Sequence, residues 1–215
     1  MNASETSSPF QRPGIRGFLH RPAQPSGEGL VLAHGAGANC NAPVLLAAAG
    51  AFQAAGVTVL RCDLPFRQKR SSGPPHPSGA AEDREGLRLA AAALREIAAG
   101  AVYLGGHSYG GRQASILAAE RPDAAEALLL LSYPLHPPNK PEQLRTAHFP
   151  NLRAPATFVH GAADPFGSIA EMEQAIASIP AQARLIVADG AGHDLKRGRL
   201  DFAPIVAAVQ ASVRP

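Results

Sequence analysis

The segment GHSYG at residues 106–110 has the G-x-S-x-G spacing and lies between an apolar run and a helix-forming run. A serine hydroxyl is a poor nucleophile at its ordinary pKa, and it attacks a carbonyl carbon only when a neighbouring base takes its proton. The glycines permit the sharp strand-to-helix turn that exposes such a serine, here Ser108. The motif is weak evidence in a chain with 21 glycines, so other segments must supply a base and an acid.

A candidate acid and a candidate base follow two later apolar runs. Asp164 follows the run at 155–160, and His193 follows the run at 183–188. The resulting chain order of serine, aspartate and histidine is that of α/β-hydrolases and differs from the orders in chymotrypsin and subtilisin. In this arrangement His193 would accept the proton of Ser108, and Asp164 would hold the imidazole in the required tautomer.

Each of these residues also has a plainer interpretation. Ser108 could be an ordinary turn serine, but three strand ends carry the three residue types in the right order. We expect His107 to pack and form hydrogen bonds, because a neighbour of the nucleophile on a sharp turn points away from it. Asp164 is the preferred acid because it lies on the loop after the penultimate strand. The aspartates that compete with it are Asp63, Asp189 and Asp194.

Acyl transfer also needs hydrogen-bond donors for the negative oxygen of a tetrahedral intermediate. The loop HGAGA at 34–38 follows an apolar run, and its small residues allow its N–H groups to approach a substrate closely. We expect the N–H of Ala36, with that of Gly37 as second choice, to act together with the N–H of Tyr109. We expect His34 to orient this loop and not to react.

Short apolar runs alternate with helix-forming runs along most of the chain, which predicts βαβ crossovers and a mostly parallel, doubly wound α/β sheet. Functional residues of such sheets lie at the carboxyl ends of the strands. Residues 1–13 are polar, and we expect a disordered leader there, followed by a single domain at 14–215. The predicted strands are 14–22 at the sheet edge, 29–34, 57–62, 101–106, 126–132, 155–160 and 183–188, and the predicted helices are 43–55, 79–99, 109–120, 168–178 and 201–213.

Composition narrows the class of protein. The chain has 215 residues, of which 46% are hydrophobic and 17% charged, a balance typical of one globular domain with a large core. Residues 29–60 carry no charged side chain, but glycines, asparagines and a proline interrupt them, so we expect no membrane-spanning helix. The first residues lack the basic and apolar regions of a secretory signal, and we therefore expect a cytoplasmic location.

Charge and histidine spacing argue against two further classes. The net charge is +3, residues 61–70 alone sum to that value, and aromatic residues make up only 5% of the chain, so we expect no nucleic-acid partner. The histidines lack the H-x-x-x-H spacing of a metal site, and we expect neither a metal nor a cofactor. Cys40 and Cys62 are expected to be buried thiols.

Six segments occur in a fixed order: HGAGA, RCDLPFRQKRSSGPP, GGHSYGGR, LLLSYPLHPPNKPEQLR, FVHGAADPFGS and GAGHDL. Together they resemble the small α/β-hydrolase proteins grouped near dienelactone hydrolase, which include animal testis-expressed protein 30. The resemblance spans roughly residues 14–213 and implies an α/β-hydrolase fold trimmed at its N-terminus, with Ser108, Asp164 and His193 as the triad. Dienelactone hydrolase has a cysteine nucleophile where Ser108 stands, so its lactone specificity is not implied.

The surroundings of the predicted site bear on the substrate. About 22 residues separate the strands at 126–132 and 155–160, where many relatives insert a helical lid, so we expect a minimal cap and an open mouth. Arg67, with Lys69 and Arg70, is expected either to attract an anionic substrate or to form an ordinary solvated surface. The residues expected to line the mouth are Tyr109, Tyr133, Leu135 and Phe166.

The sequence therefore predicts a serine hydrolase that acts on a small carboxylic ester or thioester through an acyl-enzyme on Ser108. The alternative is a catalytically idle hydrolase-like binding or scaffold protein, because the group also includes a subunit of the NSL histone-acetyltransferase complex. The presence of all three triad residue types and of a glycine-containing loop favours the enzyme. The residues leave the oligomeric state open.

Overall fold

Strands and helices alternate in the part of the chain that the structure, a computed structural model, describes: residues 7–196 and 200–213. Each predicted strand and helix is present, with ends that differ by a few residues. The strands are β1 (Ser7–Arg12), β2 (Ile15–His20), β3 (Gly29–Ala33), β4 (Thr58–Cys62), β5 (Val102–His107), β6 (Leu128–Leu131), β7 (Ala156–Gly161) and β8 (Ala183–Ala188). The α-helices are α1 (Pro43–Ala54), α2 (Pro65–Lys69), α3 (Ala80–Arg95), α4 (Tyr109–Glu120), α5 (Ile169–Ile176) and α6 (Ala203–Ala211).

The strands form one sheet in the order β1-β2-β4-β3-β5-β6-β7-β8. Strands β3 to β8 pair in parallel, whereas β2 is antiparallel to both of its neighbours, β1 and β4. Parallel pairing requires crossover helices, which cover both faces of the sheet. The prediction of a mostly parallel, doubly wound sheet is therefore confirmed.

The core is divided between the two faces of this sheet. On β6, Leu128 and Leu130 pack toward α3 and α4, whereas Leu129 and Leu131 pack on the face that α1 and α6 cover. Successive strand residues point to opposite faces, so a strand that is covered on both sides has no polar position. This explains why four consecutive leucines form a single short strand.

The first strand corrects the expectation of a disordered leader at 1–13. Residues 7–12 form β1, which pairs antiparallel with β2 from Ser7 opposite His20 to Arg12 opposite Ile15; residues 1–6 lie outside the described part of the chain. The predicted strand at 14–22 consequently lies one position inside the sheet and not at its edge. An edge strand leaves most side chains in water, so its polar composition gives no strand signal.

Two connections bear on the site. The segment after β4, predicted as a loop, contains the short helix α2, which begins with Pro65 at its first position. The connection from β6 to β7, described throughout, contains one 3-10 turn at Phe149–Asn151 and no α-helix, which confirms the minimal cap. None of the helices in the described ranges is long and apolar enough to cross a membrane.

The two cysteines are free and buried, as predicted. Burial raises the pKa of Cys40 to about 12 and raises that of Cys62 far above its usual range. Because a thiol reacts as its thiolate, both side chains stay protonated and unreactive near neutral pH.

Removal of β1 tests its contribution to the sheet. We expect deletion of residues 1–13 to lower the free energy of unfolding by about 1–3 kcal/mol, because the ladder hydrogen bonds to β2 are lost while the remaining sheet stays intact. Urea titration followed by circular dichroism measures this difference. An unchanged free energy of unfolding would contradict the pairing of β1 with β2.

The imidazole of His148 makes stability depend on pH. Its Nε2 lies 2.8 Å from the hydroxyl oxygen of Ser115 on α4, and burial together with the charge of Arg112 lowers its pKa from 6.5 to about 4. At pH values between about 4 and 6.5, His148 binds a proton in the unfolded chain but not in the folded chain. The free energy of unfolding is therefore highest above about pH 6.5 and decreases as the pH falls.

We therefore expect the free energy of unfolding to fall between about pH 6.5 and pH 4, and to fall less in the variant His148→Gln, whose amide does not titrate. Urea titrations at several pH values measure both slopes. Identical slopes in the two proteins would show that His148 does not carry this dependence.

Candidate active site

Ser108 occupies the turn between β5 and α4 in an uncommon backbone conformation. Its φ is 51° and its ψ is −115°, a region that side-chain-bearing residues rarely adopt and that persists only where the surroundings impose it. The Ser108 N–H donates to the carbonyl of Leu131 at 2.8 Å, and its carbonyl accepts from the N–H of Arg112 at 2.9 Å. The turn is therefore anchored to β6 on one side and to α4 on the other.

Two glycines allow this turn to pack directly against β3. A Cβ at Gly106 would lie 2.3 Å from the carbonyl oxygen of Ala33, and one at Gly110 would lie 2.6 Å from the same atom. Neither position has room for a side chain, so the G-x-S-x-G spacing is a steric requirement of the contact between α4 and β3.

Three predicted residues meet above the carboxyl ends of the strands. The Nε2 atom of His193 lies 2.8 Å from Oγ of Ser108, and its Nδ1 lies 2.8 and 3.0 Å from the two carboxylate oxygens of Asp164. Because the carboxylate accepts hydrogen bonds, Nδ1 carries the proton, and Nε2 is left to accept from the serine hydroxyl. The Asp164 side chain is fully buried. This arrangement can transfer a proton from serine to histidine.

The competing aspartates lie elsewhere. Asp63 accepts hydrogen bonds from the N–H of Cys40 and from the guanidinium group of Arg16. Asp194 is exposed and accepts from the N–H of Lys196. Asp189 is also exposed. Of the candidate acids within the described ranges, only Asp164 contacts the imidazole of His193.

Two aromatic rings hold the imidazole of His193 in place. The ring of Phe166 lies 4.2 Å from it, centroid to centroid, and the N–H of Phe166 donates to Asp164 at 2.9 Å. The Nε2–H of His107 donates to the main-chain carbonyl of His193 at 2.7 Å, and burial lowers the pKa of His107, so its ring is neutral. The prediction that His107 packs and forms hydrogen bonds is confirmed. Phe166, predicted to line the mouth, stacks on His193.

The loop at 34–38, which we call the anion loop, lies beside Ser108. A Cβ at Gly35 would lie 3.5 Å from Cβ of Ser108. Ala36 is half-buried and Gly37 is exposed, and neither N–H has an acceptor within hydrogen-bonding distance in the part of the chain that is described. The Tyr109 N–H, at the first position of α4, likewise has no partner within its helix.

His34 orients the anion loop, as predicted. Its ring is fully buried, and the N–H of Leu64 donates to its Nε2 at 3.1 Å. Nε2 is therefore the acceptor, and Nδ1 carries the proton that is donated to the carbonyl of Gly35 at 2.8 Å. Burial lowers the pKa of His34, which keeps the ring neutral.

The expectation that Arg67 lies at the surface, where it could attract an anionic substrate, is wrong. Its side chain is only 3% exposed, because helix α2 turns it inward beneath the anion loop. There its guanidinium group donates to the carbonyls of Ala36 and Ala38 at 2.9 and 2.8 Å. Its neighbour Lys69 is exposed and pairs with Glu82. The predicted basic loop therefore does not present Arg67 to a substrate.

The expectation that Tyr133 and Leu135 line the mouth is also wrong. Both are fully buried, and the hydroxyl of Tyr133 donates to the carbonyl of Arg145 at 2.6 Å. Without a lid helix to cover, the segment after β6 folds back and fills the core, where Tyr133 packs against Phe149 and Phe158.

Sequence reasoning missed Asp83, which supports the site from α3. It is fully buried, accepts from the hydroxyl of Tyr109 at 2.7 Å and from the N–H of Phe66 at 3.0 Å. Burial raises its pKa. An acidic residue in the first turn of a helix usually faces water, so the sequence carried no signal of this role.

Within the described ranges, no group of three or more histidine, cysteine, aspartate or glutamate side chains is placed to hold a metal ion. The chemistry available at the site is that of the serine hydroxyl, the imidazole, the carboxylate and the free N–H groups.

Comparison with solved structures identifies proteins of the same fold. Dienelactone hydrolase from Anabaena variabilis is 23% identical over 96% of each chain, with a TM-score of 0.70. An α/β serine hydrolase without a lid from Xanthomonas campestris is 18% identical over 97% of this chain and 93% of its own, with a TM-score of 0.71. Est1E from Butyrivibrio proteoclasticus, in a structure with ferulic acid bound, is 16% identical over 95% and 96%, with a TM-score of 0.72.

Identities this low show a shared fold and leave activity open. The family described as alpha/beta hydrolase domain matches residues 26–203, which is most of the chain and includes the turn of Ser108, the anion loop and the loops of Asp164 and His193. The sequence match and the shared fold agree, and the chain belongs to the alpha/beta hydrolase family.

Proposed function

We propose that this protein is a serine hydrolase that cleaves a carboxylic ester or thioester through an acyl-enzyme on Ser108. The observation that carries the proposal is the unbroken hydrogen-bond chain from Ser108 through His193 to the buried carboxylate of Asp164. An oriented base within 2.8 Å of the hydroxyl is the arrangement that activates a serine for attack.

In the acylation half-reaction, Oγ of Ser108 forms a bond to the carbonyl carbon of the substrate while its proton passes to Nε2 of His193. The carbonyl oxygen becomes negatively charged and accepts hydrogen bonds from the N–H of Tyr109 and from the anion loop, through Ala36 or Gly37. When this intermediate collapses, the bond to the alcohol or thiol breaks, and His193 protonates the leaving group.

In the deacylation half-reaction, water replaces the leaving group. His193 takes a proton from the water, whose oxygen attacks the acyl carbon, and the same N–H groups stabilise the second negative intermediate. Collapse breaks the bond to Oγ of Ser108, which recovers its proton from His193. The net reaction consumes one ester or thioester and one water and releases a carboxylic acid and an alcohol or thiol.

Asp164 has two roles in this scheme. Its hydrogen bonds to Nδ1 fix the tautomer of His193 that leaves Nε2 free to accept, and its negative charge stabilises the imidazolium that forms in each half-reaction. Burial of the carboxylate among protein groups strengthens this charge interaction, because water does not screen it.

The shape of the site favours a small or extended acyl group. The connection from β6 to β7 adds no helix above Ser108, and Tyr133 and Leu135 point into the core, so little apolar surface is available to enclose a bulky chain. The ferulic acid in the Est1E structure is a carboxylic acid bound by a protein of this fold, which supports an acyl substrate here.

Labelling with a fluorophosphonate probe tests whether Ser108 is activated. We expect rapid addition of one probe mass to the wild-type protein and none to Ser108→Ala, because the probe reacts only with a nucleophilic serine. Intact-protein mass spectrometry measures the labelled fraction. The control is Ser72→Ala, which removes an exposed hydroxyl distant from the triad in sequence and is expected to label like the wild type. A folded wild-type protein without label would indicate the idle alternative.

Paired substitutions of two aspartates test the assignment of the acid. We expect Asp164→Asn to lower kcat for a short-chain p-nitrophenyl ester by about 10³–10⁴-fold, because the amide holds the wrong tautomer of His193. Asp194→Asn, which changes the exposed neighbour of the same histidine, is expected to retain full activity. Steady-state kinetics measure kcat for both variants. An equal loss of kcat in the two variants would show that Asp164 is wrongly assigned as the acid of the triad.

A further inference from the structure

Arg67 is buried beneath the anion loop and binds only main-chain carbonyls. Its Nε donates to Ala38 at 2.8 Å, and its Nη2 donates to Ala36 and to Gly73, both at 2.9 Å. Its Nη1 donates to Arg70 at 3.2 Å. Four of the five N–H groups of the guanidinium are thus used by carbonyl oxygens that come from two separate loops.

This cation has no carboxylate partner among the residues that the structure describes. No aspartate or glutamate oxygen in the described ranges lies within 4.0 Å of the Arg67 guanidinium, which instead lies 4.9 Å from the centre of the Phe66 ring. Burying a positive charge without a negative one is unfavourable, and carbonyl dipoles compensate for it only in part. The position of Arg67 thus calls for an explanation beyond packing.

Peptide geometry connects Arg67 to the site. In a trans peptide unit the C=O and the N–H point in opposite directions. The carbonyl of Ala36 faces Arg67, so the N–H of Gly37 points away from it; the carbonyl of Gly35 faces His34, so the N–H of Ala36 points away from that ring. Both N–H groups are without an acceptor among the described residues.

We propose that Arg67 is a positioning residue for the negatively charged oxygen of the tetrahedral intermediate. It holds the carbonyls of Ala36 and Ala38 so that the N–H groups of the anion loop stay directed toward the substrate above Ser108. A hydrogen bond accepted by a peptide carbonyl also polarises the N–H of the same peptide unit, and the fixed positive charge behind the loop adds to this effect. The inference rests on the proposed function, because it assigns a role within that reaction.

The role predicts which kinetic quantity changes. The negative oxygen exists in the tetrahedral state and not in the bound ester, so loss of Arg67 affects the transition state more than the bound substrate. The rate constant kcat should fall while KM changes little. A purely structural role for Arg67 would instead reduce the fraction of active protein and leave each remaining active site unchanged.

The test compares Arg67→Met and Arg67→Lys with the wild type, using a neutral short-chain p-nitrophenyl ester and rates normalised by active-site titration. We expect Arg67→Met to lower kcat per active site about 10- to 100-fold, with KM within roughly twofold. Arg67→Lys keeps the positive charge but lacks the planar guanidinium group with its several N–H donors, and we expect its kcat per active site to lie between those of Arg67→Met and the wild type. The matched control Arg153→Met removes an exposed arginine that precedes β7, at the amino ends of the parallel strands and so away from the site, and is expected to behave like the wild type.

A second readout separates positioning from folding. A boronic acid forms a tetrahedral anionic adduct with an active serine, so we expect its affinity to fall in parallel with kcat. Thermal unfolding shows whether Arg67→Met is folded. If it is not, the kcat per active site and the boronate affinity of Arg67→Lys decide whether the proposed role of Arg67 is correct. Unchanged kcat per active site, or reduced kcat with unchanged boronate affinity, would overturn the role of Arg67. A wild-type protein that hydrolyses no ester and takes no fluorophosphonate would instead overturn the proposed function, and the inference with it.

Discussion

The left-handed backbone of Ser108 is the constraint on which the rest of the site depends. A non-glycine residue at φ 51° is unfavourable, and it is held there by hydrogen bonds to Leu131 and Arg112 and by the contact of Gly110 with β3. The hydrogen bond to Leu131 and the contact with β3 require the parallel order of β3, β5 and β6, whereas the bond to Arg112 is local to α4. The sheet therefore does more than bury apolar surface, because its contacts hold Ser108 in this conformation at the start of α4.

Around this serine, the groups that would react are held mainly through their neighbours' main-chain atoms. His107 binds the carbonyl of His193, His34 binds that of Gly35, and Arg67 binds those of the anion loop. Main-chain acceptors are fixed by the fold and do not rotate, so they orient the adjoining N–H and imidazole groups before a substrate arrives. Such preorganisation is the property that stabilises developing charge in enzymes, because no reorientation is needed during the reaction.

The sequence predicts the parallel sheet and the meeting of Ser108, Asp164 and His193. Both follow from the spacing of apolar residues and from the turn residues, which can be recognised within short segments of the chain. The sequence does not predict the roles of Arg67 and Tyr133. The burial of Arg67 depends in part on the carbonyls of Ala36 and Ala38, which come from a loop far away in the chain, and the inward turn of Tyr133 depends on the absence of a lid. The sequence does not predict strand β1, because most side chains of this edge strand are exposed and therefore show no apolar pattern.

The central claim is that an acyl group passes through Ser108. Rapid-quench mass spectrometry during turnover of a slowly deacylating ester tests it most directly, because it observes the covalent intermediate itself. We predict an acyl mass on the peptide that contains Ser108, formed in a burst and then held at a steady level until the ester is consumed. Release of product without any acylated Ser108 peptide would contradict the account.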